Sequence, residues 1–182
     1  MSRSSLAAMA AVVAASFAMA CEQATTSPPD QATLLETISA DVAAGAVMKG
    51  ELAALRRATA PFHNFDKAAA AGYGIQLTPC AEQLPDGAQG YHYGNPALID
   101  GTVSLLEPEI LQYEPQAGGH LRLVGIEYIV PLTEPQPPPL LGQQFHANQA
   151  AGLWALHVWA WRHNPSGMFA DWNPKVSCKH AG

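Results

Sequence analysis

Between residues 31 and 72 the apolar positions recur at helical spacing. Leu34, Ile38 and Val42 fall four apart with Leu35 beside them, which puts them on one face of a helix. The pattern predicts a helix from Gln31 toward Val47, capped by Asp30 and weakened at its end by Gly45 and Gly50. A second helix, roughly residues 51–60, stops at Pro61. Asn64 caps a short third one, FDKAAAAGYG, and Gly72 stands where a left-handed terminal residue is wanted.

From Tyr73 the period changes. Pro and Gly recur every few residues and the apolar runs shorten, the signature of strands and turns. Residues 74–79 predict a first strand, 82–90 a loop and 91–93 a short strand ended by Asn95-Pro96. Residues 110–114 and 121–130 flank PQAGGH, a hairpin loop. The second arm, LRLVGIEYIV, is apolar on both faces and predicts a central strand covered on both sides. Pro131–Leu141 has five Pro in eleven positions and predicts an extended surface connection, since Pro supplies no ladder donor. Residues 153–162 fit a strand with Leu153, Ala155, His157, Trp159 and Trp161 on one face. A helix fits the same spacing, but aromatic and β-branched enrichment and the close at Asn164-Pro165 favour the strand.

These elements predict an α+β fold: two or three N-terminal helices packed on an antiparallel sheet of four to six strands, either a curved sheet or a small open barrel. Residues 31–182 form one domain, with a helical part to residue 72 and a sheet part from 73. The 182 residues are 48% hydrophobic and 13% charged, with a net charge of -6. No Lys/Arg cluster occurs, which excludes nucleic acid and anionic membrane surfaces as partners, because both need a basic footprint.

The first twenty residues carry Arg3 and then an uninterrupted small and apolar run from Leu6 to Ala20, the order of a secretory signal. Ala18-Met19-Ala20-Cys21 suits two cleavage chemistries: ordinary signal peptidase, or a lipobox that leaves Cys21 lipidated and the protein anchored in the cell envelope. Residues 21–30 then read as a polar tether. With Cys21 lipidated, Cys80 and Cys178 remain to pair in an oxidising compartment, two unrelated buried thiols being the alternative. A bridge between them closes a loop worth roughly 4–5 kcal/mol on the chain-entropy model.

Three residues carry candidate chemistry. Glu127 lies inside an apolar strand, where a carboxylate must be paired, bound to a cation or protonated; Arg122, Arg162 or a Tyr hydroxyl could satisfy it. His157 lies between Leu156 and Val158, where a core His bonded to backbone or carboxylate is the commoner case. His92, between Tyr91 and Tyr93, would complete a set of two His and one Glu that suits Zn or Cu; His146 or His163 could take its place. The spacing of 92, 127 and 157 matches no compact metal signature. No Gly-x-Ser-x-Gly elbow, phosphate loop, His-Glu-x-x-His or Cys-x-x-Cys occurs.

GYHYGNP, PEILQYEP, LRLVGIEYIVP and HVWAWRHNPSGMFADWNPKVSC together resemble a family of exported bacterial proteins of unassigned function, over about residues 58–178. The motifs reduce to GxHYxNP and HNPxGMFxxWNPxVSC. In that family the first motif reads Gly-Met-Gly-x-His-Tyr-Val-Asn-Pro. Here Gly94 stands in place of the Val, while His92, Tyr93, Asn95 and Pro96 match. The resemblance implies export and marks His92; it carries no activity.

Two functions from different classes follow. One is an exported metal-binding protein, or small metalloenzyme, with His92, Glu127 and His157 as ligands. The other is a non-catalytic envelope lipoprotein that holds a small apolar ligand in a pocket lined by Tyr91, Tyr93, Trp154, Trp159, Trp161 and Phe169. Convergence of the three ligands separates them.

Overall fold

The computed structural model describes residues 31–182. The export segment, Cys21, the tether and the Asp30 cap lie outside them. The fold is α+β: one long helix packed with an antiparallel sheet of seven strands, open rather than closed into a barrel.

Helix α1 runs from Gln31 to Thr59 without a break, so the two helices expected on either side of Gly50 are one. Each glycine costs a helix about 1 kcal/mol. Ala43, Ala44, Ala46, Met48, Glu51 and Leu52 around them are strong helix formers, and no proline intervenes before Pro61. The packing is also redistributed. Leu52 and Leu55 near the C-terminal end are buried in the core, whereas the predicted apolar stripe of Leu34, Leu35, Ile38 and Val42 is exposed. After a 3-10 turn over Ala60–His63, α2 (Phe65–Ala70) starts on Asn64, whose Oδ1 accepts from the Lys67 amide. Gly72 then turns the chain at a φ of 103°.

The strands are β1 (Ile75–Gln76), β2 (Ala81–Gln83), β3 (Gly87–Gly94), β4 (Ile110–Pro115), β5 (Leu121–Pro131), β6 (His146–Asn148) and β7 (Leu153–Val158). Their order is β1-β3-β4-β5-β7-β6, with β2 also on β3. Residues 82–90, expected as a loop, instead supply most of the β2–β3 hairpin. Gly90 permits this at the crowded middle of β3: its φ is 83°, and a Cβ there would come within 2.4 Å of the Tyr113 carbonyl oxygen. The PQAGGH hairpin joins β4 to β5 as expected, and β5 is central and buried over most of its length.

Strand β7 ends at Val158, four residues before the predicted end. The chain leaves the ladder because the Trp159 amide donates to Met168 and that of Trp161 to Val124. Val124 lies where the β4–β5 register slips by one residue, so its carbonyl is free to receive an outside donor.

Antiparallel partners share a sheet face, and the register sorts the two faces. On one, Leu111, Tyr113, Ile126, Tyr128, Leu156 and Val158 pack against Leu52, Leu55 and Tyr73 as the main core. The other carries two smaller apolar clusters, Ile110–Ile129–Ala155 and Ala88–Val124–Trp159–Val176. The C-terminal segment crosses this second face, held by reciprocal backbone bonds between Asn173 and Ala88 and by the disulfide Cys80–Cys178, whose Cα atoms are 5.8 Å apart.

Candidate metal centre

Register alone assembles the centre. His92 on β3 pairs with Gln112 on β4, and Gln112 pairs with Gly125 on β5. Glu127 is two residues beyond Gly125, hence on the same face, and pairs with His157 on β7. A row of polar side chains therefore crosses four strands between the two small apolar clusters. His92, Gln112, Glu127 and His157 are all buried.

Glu127 receives one imidazole at each carboxylate oxygen: His92 Nε2 lies 3.4 Å from Oε2, and His157 Nε2 lies 3.4 Å from Oε1. The ligand atoms of all three residues lie within 4.8 Å of one another. The 3.4 Å spacing is informative. A charge-assisted N–H···O bond closes to about 2.7–2.9 Å. Donor atoms around a tetrahedral ion at bond lengths of about 2.0–2.1 Å stand roughly 3.3–3.4 Å apart, a spacing that each imidazole keeps to its own carboxylate oxygen rather than to a shared one. The alternative partners for Glu127 are engaged elsewhere: Arg122 with Glu114, and Arg162 with the Lys175 carbonyl.

His92 is held in one tautomer. Gln112 Nε2, which can only donate, lies 3.2 Å from His92 Nε2, so that nitrogen carries its lone pair; Nδ1–H then donates to Thr78 Oγ1 at 2.9 Å. Anchoring the far nitrogen while the near one faces the ion is how ligand imidazoles are oriented. Thr78 can reach because the Leu77 amide donates to the His92 carbonyl, which holds the chain beside β3 at this point. Burial lowers the pKa of His92 against the pull of Glu127, and the neighbouring His157 lowers it further. A neutral ring is the form that ligates.

His157 is different. Among the described residues, Gln112 Oε1 has no hydrogen-bond partner, and the His157 ring nitrogens meet only carboxylate oxygens at 3.4 Å. Burial alone would depress its pKa, but the carboxylates of Glu127 and Asp171 outweigh it and the net shift is upward. Gly125 makes room for this arrangement: a Cβ there would sit 2.6 Å from Gln112 Oε1 and 3.2 Å from the Val158 carbonyl.

A cavity of about 290 Å³ opens onto His92, Glu127 and His157. Its walls are largely apolar, from Leu77, Ile110, Ile129, Ala151 and Leu153.

The six aromatic candidates do not meet in one cavity. Tyr91 and Tyr93 flank a hollow with Leu121 and His180. Trp159 and Trp161 line another beside Arg56 and Met168. Trp154 donates its indole N–H to the Glu134 carbonyl, and Phe169 packs against the main core. Strand alternation separates Trp154 from Trp159, and the turn after Val158 carries Trp161 toward α1, where its indole donates to Thr59. His163 is exposed near Lys175, away from the centre.

Sequence reasoning passed over three participants. Gln112 sits between Leu111 and Tyr113, the same polar-in-apolar signal that marked Glu127. Asp171 and Thr78 lie in loops, where no period singles out a residue. Comparison with protein-family models, with curated proteins and with solved structures found no match.

Proposed function

We propose that this is an exported metal-binding protein that holds a divalent transition-metal ion, Zn or Cu, through His92, Glu127 and His157. The observation that carries the reading is the convergence of two imidazoles and one carboxylate, all buried, with their ligand atoms within 4.8 Å of one another. The donor set suits these metals, and the Thr78 contact that anchors His92 Nδ1 supports His92 as a ligand. Export is supported by the signal-like N-terminus and the Cys80–Cys178 bridge.

Three protein ligands leave a tetrahedral ion one position for water or substrate. The apolar-walled cavity supplies space for a small molecule there. That combination favours a small hydrolytic metalloenzyme over a storage site.

The deciding experiment is elemental mass spectrometry on untagged protein. Stoichiometric metal is expected in the wild type. The ion held by these three ligands should be lost from folded His92→Ala and Glu127→Gln proteins, the latter nearly isosteric and so the better control for folding. A folded wild type that stays metal-free after Zn and Cu are offered sinks the reading.

A further inference from the structure

An imidazole has two ring nitrogens, and the centre described above uses only Nε2 of His157. Its Nδ1 faces the other way, 3.4 Å from Asp171 Oδ1. The same oxygen lies 3.4 Å from His146 Nε2. The ligand atoms of His146, His157 and Asp171 again fall within 4.8 Å of one another. His146 reaches this point because it pairs with Ala155, two residues before His157 and on the same sheet face. Its ring lies nearly parallel to that of His157, with centroids 6.3 Å apart. Asp171 comes from the C-terminal segment that crosses the face.

His157 thus stands between two carboxylates, one at each nitrogen. A neutral ring has one N–H and one lone pair, so one carboxylate would meet a lone pair across 3.4 Å. Each nitrogen stands 3.4 Å from its carboxylate oxygen, longer than the roughly 2.7–2.9 Å of a closed charge-assisted hydrogen bond. An ion in the outer gap fits the spacing as it stands, because one Asp171 oxygen lies 3.4 Å from both His146 Nε2 and His157 Nδ1, the edges of a tetrahedral site.

We propose that His146, Asp171 and Nδ1 of His157 form a second transition-metal site, so that two ions are joined through one histidine ring. The bridge rests on the inner-site reading above; the outer site does not. The inner ligands are buried, whereas His146 and Asp171 are half-exposed, so the outer ion is the more accessible and the first to exchange. Loading Nδ1 displaces the ring N–H proton to solvent and leaves an imidazolate shared by both ions, with no change in oxidation state. Zn and Cu, the ions that imidazole and carboxylate donors hold well, are the class expected.

The test loads untagged, metal-stripped protein with Zn and counts bound ions after gel filtration. Two per chain are expected for the wild type. One is expected for His146→Ala and for Asp171→Asn, whose exposed side chains leave the fold intact, and one for Glu127→Gln. A single ion that survives in His146→Ala and Asp171→Asn overturns the outer site and leaves the inner one standing. A single ion lost in those variants but kept in Glu127→Gln does the reverse, and overturns the bridge with it. Loading with Cu reads the bridge directly. Two Cu ions on one imidazolate couple magnetically, so the electron-paramagnetic spin count should fall well below the bound copper and recover to one full spin in His146→Ala. Two bound Cu ions with full, uncoupled intensity overturn the shared ring.

Discussion

The two faces of the sheet handle buried polar atoms in opposite ways. On the helix side three tyrosines reach the core, and each hydroxyl finds a backbone carbonyl: Tyr73 on Pro108, Tyr113 on Phe62 and Tyr128 on Leu105. On the other side, among the described residues, Gln112 Oε1 and both His157 nitrogens lack a close hydrogen bond. An unmade bond at a buried polar atom costs about 1–3 kcal/mol. A chain that satisfies every tyrosine hydroxyl over one face does not leave three such atoms together on the other without compensation. The contrast supports the proposal that the second face holds metal ions as the compensation.

The largest effect that bears on this comparison is expected at Glu109, a buried carboxyl outside the polar row. Its side chain accepts from the Ile129 amide. Burial pushes its pKa up to about 8, against the hydrogen bonds it accepts and with a smaller push from Asp100 and Glu127. In the unfolded chain it titrates near 4.5. Between those values the folded protein holds a proton that the unfolded chain releases, so this group's stabilisation is complete below pH 4.5 and is lost as pH rises to about 8. The loss has a ceiling on the order of 4–5 kcal/mol. Denaturant unfolding across that window should therefore show a steeper decline for the wild type than for Glu109→Gln. Equal slopes would mean that Glu109 is ionised in the folded state.

Next in size is the core of the helix face. Leu111→Ala removes a fully buried side chain and should cost about 2–5 kcal/mol. The loss should be the same with metal stripped or added, because Leu111 points away from the centre. A metal-dependent loss would show that the two faces are coupled.

The smallest effect expected is at the support of the centre. Thr78→Val keeps shape and removes the acceptor for His92 Nδ1. Metal affinity should fall roughly 10–100-fold, with the metal-free melting temperature little changed. A competition titration against a chelator reads it. An unchanged affinity would remove Thr78 from the centre.

Much of this was legible in the chain. Glu127 and His157 stood out because a polar residue in a strand apolar on both sides needs a partner. The two arms around PQAGGH fixed the register of the central pair. What was hidden depended on long-range geometry. The bulge at Val124 ends β7 early, and only a three-dimensional register puts His146 beside Ala155 and within reach of Asp171. Helix α1 ran on through Gly45 and Gly50 because two weak residues are outvoted by their neighbours, a matter of summed propensity that reading each glycine as a break misjudges.

The Cys80–Cys178 bond has a consequence for proteolysis. Every ligand proposed for the two ions, from His92 to Asp171, lies within the covalent ring it closes across 98 residues. The proline-rich connection between β5 and β6 divides that ring, with His92 and Glu127 before it and His146, His157 and Asp171 after it. A cut there leaves the fragments tied together, with β5 still laddered to β7. Nicked protein should migrate as one species, and keep any metal it has bound, until a reductant is added. The covalent ring, rather than an unbroken backbone, is what holds the ligand set together.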